Sequence, residues 1–155
     1  MTDIYHELLE ALSTTPIRIQ ELSEGAGATD GSGSPRAGGE WGPGAVVAHL
    51  ADIERVMRGR IEEALTRESP YFRSVDQEKL AEEHDYAHKE LRPALEDFAA
   101  ERAETIQRLM NLPLKGWERT GIHEERGEIS VEDIAELLVD HDAAHLQQLE
   151  AALQG

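Results

Sequence analysis

The sequence predicts an all-α fold: a four-helix bundle with long inter-helix loops. Three observations predict it. Apolar residues recur at three- and four-residue spacing through four long stretches. Alternating β-branched runs are missing, and no Asn-Gly or Asp-Gly hairpin turn lies between such runs. Four helices of roughly 20 residues would each span about 30 Å, and polar, Gly-rich connections join them, which is the make-up of a bundle.

The first helix is expected to start near Asp3, with Ile4, Leu8 and Leu12 on one face. Thr14-Thr15-Pro16 predicts a kink, or a break and restart, because Pro16 removes a backbone donor. Ile17, Ile19 and Leu22 continue the pattern, and Gly25 reads as its C-cap. Residues 25–40, GAGATDGSGSPRAGGE, read as a long flexible inter-helix loop. Too little chain precedes it for a separate domain, so residues 1–155 read as one domain. The second helix follows Trp41-Gly42, with Pro43 in its first turn. Its stripe is Val46, Leu50, Ile53, Met57, Ile61 and Leu65, with His49 on it and Met57 read as a core filler, and Ser69-Pro70 ends it. Asp76 to His84 reads as a short helix. The third long helix runs from Arg92 or Pro93 to Met110, with Leu95, Phe98, Ala99, Ile106 and Leu109 inward, and Leu112-Pro113 stops it. After a connection over 112–129, Ser130 and Asp133 form an S-x-x-D capping box. The last stripe is Ile134, Leu137, Leu138, His141, His145, Leu149 and Ala152.

The chain has 155 residues and no cysteine, which excludes a disulfide, a thiolate metal site and a cysteine nucleophile. Its formal charge is −17, from 15 Lys and Arg against 32 Asp and Glu. Such a surface repels nucleic acid and anionic membranes, so neither is expected as a partner. MTDIYHELLEAL carries acids where a signal peptide carries Lys or Arg, and no apolar run approaches the roughly 18 residues of a membrane span. The expected location is the cytoplasm.

His141 and His145 are four residues apart, one turn on one helical face. His49, nearly a hundred residues earlier, is the other histidine on an obvious core stripe. Three imidazoles aimed at one core suggest a divalent metal. Histidine-only ligation suits Zn, Ni, Fe or Mn and does not choose among them, and three protein ligands leave open coordination positions for water or substrate. The alternative is that each imidazole is a hydrogen-bonded core residue. His84 and His88 share the i, i+4 spacing but sit in AEEHDYAHKE, without an apolar stripe, and His6 reads as exposed.

W-x-x-x-x-V-V-A-H-L-A-D-x-E from Trp41, W-E-R-T-G-I-H-x-x-x-G-x-I-S from Trp117 and H-D-x-x-H-L-x-Q-L from His141 together resemble the DinB-like (DinB/YfiT-type) four-helix-bundle superfamily. The resemblance covers nearly the whole chain. It implies a divalent metal held by His49, His141 and His145, and a homodimer. It also implies an activity using an external low-molecular-weight thiol such as mycothiol or bacillithiol.

The expected function is a metal-dependent enzyme, of the thiol-dependent S-transferase or hydrolase type, acting on small electrophilic molecules in stress or detoxification. The alternatives are a non-catalytic metal- or ligand-binding stress-response protein and a histidine-lined, pH-sensitive dimer without metal. Asp52, Asp142 and Gln148 are candidates to orient the ligand imidazoles. His123 is a candidate proton donor or substrate contact, or else a shaper of its own loop. Asp76 matches an acidic position that recurs in relatives. Arg102 lies on an inward stripe and needs an acidic partner if buried; a substrate carboxylate is the other option. Trp41 and Trp117 read as packing anchors.

Overall fold

The structure, a computed structural model, describes residues 3–27 and 30–154. Its helices are α1 (Ile4–Ala26), α2 (Pro43–Thr66), a short α3 (Gln77–Glu83), α4 (Leu91–Met110), a single turn α5 (Leu114–Trp117) and α6 (Val131–Gln154). The four long ones form the bundle. α1 packs on α4 and α6, and α2 packs on the same two. The order around the bundle is therefore α1–α4–α2–α6, with α1 facing α2 across one diagonal and α4 facing α6 across the other. The connections 27–42 and 111–130 therefore cross those diagonals, whereas 67–90 joins two neighbouring helices.

The helix starts follow capping chemistry. Asp3 accepts from Tyr5 N at 2.9 Å, and Pro43 takes the first position of α2. Ser130 Oγ accepts from Asp133 N at 3.0 Å while Asp133 Oδ2 accepts from Ser130 N at 2.8 Å, the reciprocal box expected at α6. The ends shift slightly. α1 is capped by Gly27, at φ 62°, rather than by Gly25, and α2 ends at Thr66, before Ser69-Pro70.

Pro16 does not break α1. Without its N–H, the carbonyl of Leu12 loses its helical donor, and Arg102 of α4 supplies one instead, Nη1 to Leu12 O at 2.8 Å. The uninterrupted helix keeps one register, with Leu8, Leu12, Thr15 and Ile19 buried. Ile17, expected inside after a restart, is therefore 62 % exposed.

Three short strands were not expected. β1 (Tyr71–Phe72) runs parallel to β2 (Thr120–His123), with Phe72 opposite His123; β2 and β3 (Gly127–Ser130) form an antiparallel hairpin. Strands of two to four residues are too short to display alternation. The Phe72 ring lies so close over Gly121 that a Cβ there would collide with it.

Positions 28 and 29 of the Gly- and Ser-rich 25–40 stretch lie outside the described residues. The described part is tied to the segment ahead of α4: Gly33 N donates to Lys89 O at 2.7 Å and Leu91 N to Gly31 O at 2.9 Å. Beside it, Gly44 brings the first turn of α2 against the Lys89 carbonyl, where any side chain would collide.

The interior holds two apolar clusters. One gathers Val46, Val47, Leu50, Phe98 and Leu149. The other gathers Leu12, Ile61, Leu109, Ile134, Leu138 and Trp117, with Tyr5 stacked on Trp117 at 4.4 Å. Between the clusters each long helix contributes one buried polar side chain to a shared network: Thr15, Glu54, Arg102 and Asp142. At their centre is Arg102, 1 % exposed. Its Nε and Nη2 donate to Glu54 of α2 at 2.8 and 2.9 Å, and its Nη1 and Nη2 donate to Asp142 of α6 at 2.8 Å each. With Leu12 O, all five guanidinium N–H groups are engaged. Thr15 of α1 adds a hydrogen bond to Asp142 Oδ2 at 2.7 Å.

Removing the cation would strand two buried carboxylates. Arg102→Met is expected to lower unfolding stability by about 3–5 kcal/mol, read from urea denaturation. A loss below about 1 kcal/mol, the range of exposed ion pairs, would mean that the network does not hold the bundle together.

Candidate metal centre

His49 projects from α2, and His141 and His145 from adjacent turns of α6. The three rings face one another, with centroids 5.0, 4.7 and 4.3 Å apart, and one ligand atom from each lies within 4.8 Å of the others. Nε2 of His49 is 3.1 Å from Nε2 of His141. A tetrahedral ion with nitrogen ligands at about 2.0–2.1 Å holds them about 3.3 Å apart, so the spacing suits a shared ion.

Burial pushes the His49 imidazolium down to about 3, with the neighbouring His145 and His141 adding repulsion. It pushes His141 down to about 4, assisted by His145 and Arg102. His145 is lowered by burial, against the opposing pull of Gln148 and Asp142. All three are therefore neutral near pH 7, the form that ligates metal. The donor set and its protonation fit a divalent transition metal.

Around the rings, the candidates picked from the sequence divide. Gln148 Oε1 lies 2.7 Å from His145 Nδ1, which fixes that ring and leaves Nε2 for the centre. Asp52 does not orient His49. Its carboxylate is taken by the Tyr86 hydroxyl at 2.6 Å, His84 Nδ1 at 2.7 Å and Arg55 at 3.1 Å, and His49 Nδ1 is buried without a hydrogen-bond partner among the described residues. Asp142 is neither on the surface nor bonded to His141. Neighbouring helical positions point about 100° apart, so it turns toward Arg102 and Thr15. Arg102 has no N–H left for a substrate carboxylate. Asp76 caps α3, accepting from Lys79 N at 3.1 Å.

His84 and His88, set aside as a pair, do separate: His84 joins Asp52 and His88 joins Asp85. His84 nevertheless belongs to the setting of the centre, since it shares Asp52 with Tyr86. The Tyr86 ring packs edge-on against Trp41 at 5.4 Å, and Trp41 covers His49 at 5.1 Å. Burial and the Asp52 carboxylate raise the Tyr86 hydroxyl far above its ordinary value, so it stays a donor.

His123 lies on β2, and its Nδ1 accepts from Glu125 N at 3.1 Å and Arg126 N at 3.2 Å. It shapes the hairpin turn, and this bonding puts the ring proton on Nε2. Burial, with Arg60 and Arg126 nearby, lowers its pKa. It also lines a cleft of about 510 Å³ that reaches His49 and His141. That size suits a small molecule. Met57, expected in the core, is half-buried and lines the same cleft.

Fold and site together define a helical-bundle protein with an open three-histidine centre between two of its helices. The sequence profile of the DinB superfamily matches residues 1–149. The chain belongs to the DinB superfamily. It is 28 % identical, over 96 % of its length and 84 % of the relative's, to a protein of Oceanobacillus iheyensis named as a proposed metal-dependent hydrolase. It is similar to the structure of YfiT from Bacillus subtilis, with a TM-score of 0.83, 21 % identity and coverage of 99 % of this chain and 89 % of that one. YfiT is described as a probable metal-dependent hydrolase with an unusual four-helix bundle topology.

The Tyr86–Asp52 bond backs the aromatic wall beside His49. Tyr86→Phe is expected to cost about 1 kcal/mol in urea unfolding. No change would mean that His84 and Arg55 suffice to satisfy Asp52.

Proposed function

We propose that this protein is a metal-dependent hydrolase of small molecules, its divalent ion held by His49, His141 and His145. The observation that carries the reading is the convergence of three neutral imidazoles, His49 buried and His141 and His145 half-buried, where His49 and His141 line an open cleft. The descriptions of the two relatives point the same way. A divalent ion held by these three histidines would supply Lewis acidity, to polarise an electrophile and to lower the pKa of a water or thiol.

The chain's own residues do the rest. Gln148 holds His145 in one tautomer. Trp41 and Tyr86 wall off His49 on the side away from the cleft's lining. His123 presents its Nε2–H as a hydrogen-bond donor to a substrate or leaving group, since its Nδ1 is held by the turn. An external low-molecular-weight thiol is the second nucleophile the same centre can serve. The chain has no thiol of its own.

Elemental analysis of untagged protein, purified without added metal, tests the centre. About one divalent ion per chain is expected, lost in His141→Ala. Gln148→Ala is expected to weaken metal affinity about 10–100-fold, measured by chelator competition. No metal in the wild-type protein, even after incubation with Zn, Ni, Mn and Fe(II), would overturn the reading. Ester and amide panels run with and without an added thiol then separate hydrolysis from S-transfer.

A further inference from the structure

We propose that Arg60 makes the cleft selective for small molecules with an anionic head and an apolar body, the head bound by its guanidinium and the reacting end placed at the histidines. The placement of the reacting end rests on the metal-centre reading; the anion site does not.

Arg60 and Arg102 are the two buried arginines among the described residues, 8 % and 1 % exposed. Their surroundings differ. Arg102 has two carboxylates and no spare N–H. Arg60 has no carboxylate within salt-bridge distance among the described residues; its hydrogen bonds go to the Arg73 carbonyl and, weakly, to Met57 Sδ at 3.9 Å. Its charge is otherwise met only by the face of Phe72, 5.6 Å away, and by the more distant field of Glu63. Three N–H groups remain. A buried cation without an anion is costly, and burial correspondingly lowers its pKa. In a chain of charge −17, carboxylates to neutralise it were abundant, yet none stands beside it.

Position supplies the rest. Eleven residues of α2 separate His49 from Arg60, about three turns, so both lie on one face about 16 Å apart along the axis. Between them on that face are Ile53 and Met57, and all four line the cleft. Long helical side chains lean toward the N-terminus, which brings the guanidinium back toward the histidines. The floor thus reads, from one end, imidazole, two apolar side chains, guanidinium. His123 adds a neutral donor on the β2 side. The cleft's acids, Glu125 and Asp140, are exposed, as is Arg126, so the buried charge is positive. A carboxylate or a phosphoryl group offers a guanidinium the same oxygen pair.

Calorimetric titration with hexanoate, monohexyl phosphate and the neutral isostere hexanamide tests this on the protein as purified. Saturable binding of at least one anion is expected, with hexanamide weaker by about tenfold or more. Whichever anion binds tighter identifies the head group. Arg60→Gln is expected to abolish the preference for the anion while leaving metal content unchanged. Arg60→Lys keeps the charge but loses the fork, so several-fold weaker anion binding is expected from it even if the glutamine variant fails to fold. His141→Ala is expected to retain the preference, which separates the two readings: preference kept without metal supports the anion site alone. Equal binding of anion and amide by the wild-type protein, unchanged affinity in Arg60→Lys, or anion binding lost only in His141→Ala would overturn the proposal.

Discussion

One guanidinium ties the four long helices together. Arg102 of α4 reaches Glu54 of α2, Asp142 of α6 and the Leu12 carbonyl of α1, and Thr15 of α1 closes the circuit onto Asp142. Every donor on the cation has an acceptor, which is the condition under which a buried charge is tolerable in a low-dielectric interior. Greasy layers above and below could slide or rotate with little penalty, because apolar contact is non-directional. The bidentate bonds cannot, since their geometry admits one arrangement of helix heights and rotations. Asp142 turned toward Arg102 leaves His141, its neighbour, turned toward α2 and His49. The rotation of α6 that suits the ion network also suits the imidazole cluster.

The same constraint explains how a proline sits inside α1. A proline in mid-helix leaves the carbonyl four residues earlier without its donor. Here that carbonyl faces inward at the level of Arg102, so the defect in one helix becomes an acceptor for another. The lost hydrogen bond is replaced by an Arg102 N–H, and the helix continues unbroken through Pro16.

Much of the architecture was legible in the residues. The 3.6-residue stripes located the four long helices, the capping box located the start of α6, and three histidines on inward stripes pointed to the imidazole cluster. The remainder depended on partners distant in sequence. Pro16 read as a break because its rescuer lies 86 positions away on another helix. The sheet joins residues 71–72 to 122–123, a pairing with no local periodicity. Asp52 looked like a partner for His49 by helical spacing, but Tyr86 and His84 arrive from a different segment and take its oxygens. Arg60 did carry a signal: it falls eleven residues, about three turns, after His49, on the face that also carries Ile53 and Met57.

The diagonal placement of consecutive helices bears on the order in which the molecule can be assembled. Of the long helices, neither α1 and α2 nor α4 and α6 can close as a local hairpin. Among the described residues, α2 and α4 are the consecutive long helices that pack closely on one another. Contacts between consecutive elements generally form ahead of those between elements distant in sequence, so α2 and α4 can pair before α6 is made, while the α1 surroundings are complete only once α6 has docked. The three histidines of the cluster are divided between α2 and α6, which α4 and the hairpin separate in sequence. A growing chain therefore carries one imidazole of the three until α6 is made, so the set is completed only after α2, α4 and the β2–β3 hairpin have been synthesised.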